Sequence, residues 1–149
     1  MFDRLKSLFS PKTAEPSQAP SPELAVAALL IEAARADEQY TDSEKALVEA
    51  ALCEQFALSK EDAAALRQKA EAAQAEAMDL HQFTKVAKNM PASEKIALVE
   101  RLWIIVLSDG TRDPHEDTLV RSVCGLIYVS DPESGAARQR AQAALSSRR

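Results

Sequence analysis

The chain has 149 residues, with 18 basic and 23 acidic side chains, a net charge of −5 and 46% hydrophobic residues. That length suits one domain with a core of its own, and the apolar content excludes a wholly disordered chain. Only three glycines, 5% aromatics and as many as 28 alanines argue against a β-sandwich and for an all-α bundle, while the acidic balance argues against nucleic acid as a partner.

Residues 1–9 are expected to form a short amphipathic segment, with Phe2, Leu5, Leu8 and Phe9 on one face and Arg4 and Lys6 off it. Three fates stand open for it: docking back or disorder, seating on a protein partner, or weak peripheral contact with a membrane surface. Residues 10–21, with Pro11, Pro16 and Pro20, read as a stiff linker. The folded domain is expected over residues 22–146, opened by Ser21 as N-cap and Pro22 at the first helical position.

Seven helices are expected, over about 22–36, 42–57, 60–78, 80–89, 92–108, 114–128 and 132–146. The second opens on Thr41-Asp42-Ser43-Glu44, a capping box in which hydroxyl and carboxylate satisfy each other's backbone N–H groups. The third is polar on most of its surface, with a narrow apolar face of Leu66, Ala70, Ala73 and Ala77. The fifth contains Leu102-Trp103-Ile104-Ile105-Val106-Leu107, apolar all round, and is expected at the centre of the bundle. The sixth opens on Asp113-Pro114-His115-Glu116 and the seventh on Asp131-Pro132. Cys53 and Cys124 form no CxxC pair and read as small buried hydrophobes.

A repeat links the two ends of this series. At an offset of 72 residues Leu30 matches Leu102, Asp37 matches Asp109, Glu44 matches Glu116, Leu47 matches Leu119 and Val48 matches Val120. In each copy an apolar helix ends at an Asp, a short loop follows, and the next helix carries Glu as its third residue. An Asp at a helix C-terminus faces the negative end of the macrodipole, at a cost of about 0.3–1 kcal/mol. Carboxylates converging on exposed carbonyls make an all-oxygen site suited to a hard divalent cation, Ca2+ or Mg2+. The candidate ligands are Asp37, Glu44, Asp109 and Glu116. The EF-hand pattern does not fit, because glycine is missing from the sixth loop position of both copies and Glu from the twelfth. A plain alternative stands beside this reading: Glu44 and Glu116 serve as caps, and Gly110 as a helix terminator.

Asp37…Glu44 and Asp109-Gly110…Glu116, an Asp-Gly-type loop followed seven residues later by Glu and occurring twice in a helical domain, resemble the TerB family of tellurite resistance proteins. The chain is also similar to the N-terminal domain of the co-chaperone DjlA, and its opening residues 1–9 resemble the start of stand-alone TerB-like proteins. The first copy departs from the pattern at Glu38, where the family carries glycine. The resemblance implies a compact helical bundle with internal pseudo-twofold symmetry. It also implies a cytoplasmic role in tellurite or metal stress near the inner membrane, and acidic loops that bind a divalent metal.

Enzyme chemistry finds no support. His81 reads as a surface residue opening the fourth helix; His115 lies beside Glu116, but neighbours on a helix do not face each other. No HExxH pair, activated nucleophile or glycine-rich phosphate loop is present. Neither a membrane-spanning run nor a signal peptide is recognisable, which also points to the cytoplasm. The expected function is that of a non-enzymatic metal-stress binding protein. The competing expectation is a metal-independent, co-chaperone-type interaction module that recruits a protein partner through residues 1–9 or the third helix.

Overall fold

The computed structural model describes residues 20–36, 40–108 and 114–147. The amphipathic segment over 1–9 and most of the linker lie outside the described residues. Among the described residues seven α-helices follow one another: α1 (Pro22–Ala34), α2 (Asp42–Phe56), α3 (Lys60–Glu76), α4 (His81–Ala87), α5 (Ala92–Leu107), α6 (Pro114–Ile127) and α7 (Asp131–Ser147). No strand occurs among the described residues. The expected all-α bundle of seven helices is what the described residues form, with ends displaced by at most two residues, as fraying helix termini allow.

Side chains close to the helix starts account for several of these boundaries. Ser21 Oγ accepts from the Leu24 N–H at 3.1 Å, and Ser59 Oγ accepts from the Asp62 N–H at 3.0 Å. The Thr41–Glu44 capping box is complete: the Thr41 N–H donates to Glu44 Oε1 at 2.9 Å, and the Glu44 N–H to Thr41 Oγ1 at 3.2 Å. The seventh helix is capped one residue earlier than the Asp131-Pro132 pair implies. Ser130 and Glu133 form a second reciprocal box, at 2.9 Å and 3.2 Å.

The centre of the bundle differs from expectation. α1 packs against α2, α3, α4, α5 and α6, whereas α5 packs against α1, α2, α6 and α7. Nine residues of α1 are buried, five of them alanine. Their small side chains let neighbouring helices approach from every side. α5 instead leaves Ile104 and Leu107 only partly buried. Trp103, Leu98, Val99 and Leu102 belong to the core, as expected of an apolar helix. α3 does pack by one edge, but its two fully buried positions are Ala63 and Ala70, with Leu66, Ala73 and Ala77 partly buried. Cys124 is buried, while Cys53 is only partly so, a correction to the expected burial of both thiols.

The repeat is structural and extends further than the sequence pattern traced it. Both α2 and α6 begin at positions 72 apart, Asp42 and Pro114. Val48 and Val120 are fully buried, and Leu47 and Leu119 are partly buried. α6 is one residue shorter than α2, so the offset drops to 71 at the following corner. There Ala57 (φ 55°) and Tyr128 (φ 65°) both take the left-handed conformation. The Leu58 N–H bonds the Cys53 carbonyl and the Val129 N–H bonds the Cys124 carbonyl, at 3.3 Å and 2.9 Å. Ser59 and Ser130 then cap α3 and α7, each 17 residues long. The described helices thus form two three-helix units, α1–α2–α3 and α5–α6–α7, joined through α4.

Candidate functional site

The four candidate ligands divide between described and undescribed residues. Asp37 and Asp109 lie outside the described residues, as does Asp113, the expected cap of α6. Glu44 and Glu116 occupy matching places in the first turns of α2 and α6. Their surroundings differ. Glu44 is half-buried and its Oε1 is held by the Thr41 N–H. Glu116 is only 4% exposed, and Glu116 and Thr84 are the buried polar residues among those described. A carboxylate withdrawn that far from water requires hydrogen bonds, a cation or both around it. Among the described residues no three His, Cys, Asp or Glu side chains gather closely enough to hold a metal. By residue type the four candidates are all carboxylates, the class of ligand that Ca2+ and Mg2+ take.

Beside the first corner lies a polar network that sequence reasoning did not find. The Tyr40 phenol donates to Glu71 Oε2 at 2.6 Å, and Arg67 Nη1 donates to the same oxygen at 2.5 Å. Arg67 Nε donates to Glu49 Oε2 at 2.6 Å, so one guanidinium joins α3 to α2. Arg35 and Lys45 lie over the Tyr40 ring, 4.9 Å and 5.3 Å from its centroid. Arg35 also donates to Gln74 Oε1, whose amide donates in turn to Glu32.

The electrostatics follow from this geometry. Burial, reinforced by the Glu71 hydrogen bond and charge, pushes the Tyr40 phenol far above its ordinary value. Burial by itself would raise the Glu71 carboxyl. The hydrogen bonds from Tyr40 and Arg67, with the charge of Arg67, outweigh it and hold that carboxyl below its ordinary range. One signal of the network was visible in the sequence, the Arg67/Glu71 spacing of four on a helix. Glu49 and Tyr40 were not, because each joins from another segment.

His81, expected on the surface, is exposed; the His115 side chain lies outside the described residues. No helix among the described residues is long and apolar enough to cross a membrane.

Comparison with known proteins gives no match among curated proteins and none among solved structures. The family model of the tellurite resistance protein TerB, by contrast, matches residues 23–139, from the first turn of α1 into α7. A match over that much of a two-unit helical chain, covering both acidic corners, places the protein in the TerB family.

Proposed function

We propose that this TerB-family chain is a non-enzymatic cytoplasmic protein of tellurite and metal stress that captures divalent cations at its two acidic corners. The supporting observation is Glu116, a carboxylate almost fully withdrawn from solvent in the first turn of α6. Asp109 with Glu116, and Asp37 with Glu44, are the proposed ligands. A bound Ca2+ or Mg2+ supplies the positive charge that lets acids share a corner with helix C-terminal carbonyls. The chain's own part is orientation: the Thr41 N–H fixes the Glu44 carboxylate, and Glu116 stands in the first turn of α6. Binding then stiffens the two loops and the surface between them.

Calorimetric titration with Ca2+ and Mg2+ tests this on the natural chain and on the double variant Asp37→Asn with Asp109→Asn. Saturable heat in the former and its loss in the latter are expected. Silence in the natural chain, or an unchanged signal in the variant, overturns the proposal. The completed Thr41–Glu44 capping box favours a second reading, in which the corners are caps alone and the domain is a metal-independent interaction module.

A further inference from the structure

The two units match helix for helix, yet they treat one arginine differently. Arg67 of α3 and Arg138 of α7 occupy equivalent places, 71 residues apart on helices of equal length. Arg67 is neutralised by Glu49 and Glu71. The position matching Glu49 is Arg121, and the position matching Glu71 is Gln142. The second unit therefore keeps the guanidinium and lacks both carboxylates. Arg138 makes no hydrogen bond or ion pair with any described residue, and its Nε is buried without a partner. It rests over the Trp103 ring, 5.5 Å from the centroid. Arg121 is exposed and likewise makes no hydrogen bond or ion pair with any described residue.

This exchange changes the packing. α2 and α3 lie against each other along a seam tied by Glu49 and Arg67, whereas α6 and α7 form no comparable seam. A pocket of about 400 Å3 stands between them, lined by Trp103, Arg121, Cys124, Ser134 and Arg138 among others. The Trp103 Nε1–H donates to Ser134 Oγ at 3.1 Å, which fixes the indole as the pocket wall. Asp117 and Asp131 also line it, so the pocket's charges balance, and a compact dianion gains less there than a singly charged group.

We propose that this pocket between α6 and α7 binds the carboxylate of an organic ligand. The carboxylate bridges Arg138 and Arg121 as those of Glu49 and Glu71 surround Arg67, and its carbon skeleton lies against Trp103. A guanidinium with a buried, unused N–H is the group that most gains from a carboxylate, through paired charge-assisted hydrogen bonds. The carboxylate comes either from a free small acid or from an acidic side chain of a peptide.

Trp103 is the single tryptophan of the chain and forms the pocket wall, so its fluorescence reports occupancy. The probes are 3-phenylpropionate and glutarate for free acids, and N-acetyl-Tyr-Glu-amide for a peptide-borne carboxylate, with chloride and sulfate as control anions. Saturable change with at least one carboxylate probe is expected, weakened at least about tenfold in Arg138→Gln. Saturation by the dipeptide alone assigns the carboxylate to a protein segment, and saturation by the acids assigns it to a small molecule. Arg121→Glu restores the charge pattern of the first unit; it is expected to abolish binding and raise the melting temperature. Arg140→Gln, on the same helix but paired with Glu100, is expected to bind normally. Absence of saturation with every carboxylate overturns the proposal. So does equal response to sulfate, or unchanged binding in folded Arg138→Gln or Arg121→Glu.

Discussion

Tyr40 and Arg67 donate to the same oxygen, Glu71 Oε2, at 2.6 Å and 2.5 Å. One carboxylate thereby holds the segment entering α2 and the guanidinium that crosses from α3 back to Glu49. The side chains are mostly sheltered, with Arg67 12% exposed and Glu71 21%.

Removing the hub of this network leaves two carboxylates facing each other in a partly dry space. Arg67→Ala is expected to cost about 2–4 kcal/mol, because an ion pair broken on one side strands charge that remains buried. Thermal unfolding followed by circular dichroism should show a melting temperature lower by about 5–15 °C. A change below about 1 °C would mean that the network is ornamental.

Tyr40 carries a pH signature. Its folded-state value lies above the unfolded one, so the stability it contributes is complete below about pH 10 and falls as pH rises further, where only the unfolded phenol ionises. Tyr40→Phe removes this dependence and one hydrogen bond to a charged group, worth about 1–2 kcal/mol. Denaturant unfolding of both proteins between pH 8 and pH 11 is the check (the range is set by the ordinary phenol value). The gap between them should narrow as pH rises above about 10; a constant gap contradicts the assignment.

Glu44 separates capping from cation binding. Glutamine serves as well as glutamate in a capping box, but it carries no charge. Glu44→Gln is therefore expected to melt within about 0.5 kcal/mol of the natural chain, while its affinity for Ca2+ or Mg2+ falls at least about tenfold. Calorimetry on the variant decides: undiminished affinity removes Glu44 from the ligand set.

Helix starts were legible in the sequence because their chemistry is local. Ser21, Thr41 and Ser59 cap through residues three positions away. The central role of α1 was harder to read, because alanine is ambiguous: Ala27 and Ala28 look no more buried by type than exposed Ala136, and only neighbouring helices distinguish them. The doubled corner was legible as far as Val48 and Val120. The one-residue shortening of α6 then broke the register and concealed the match between Arg67 and Arg138. Trp103 was read correctly as core, but its indole N–H, which reaches Ser134 at the pocket, has no sequence signature.

The unequal arginines also give the two units unequal responses to ionic strength. Arg67 and its carboxylates are sheltered, so mobile counterions have little access to them and dissolved salt screens their attraction weakly. Arg121 stands in water and shares its pocket with Arg138, Asp117 and Asp131, so salt screens the charges there far more. Adding salt thus leaves the ion pairs of the first unit nearly unchanged and acts chiefly on the second, giving the domain one half insulated from its electrolyte and one half tuned by it.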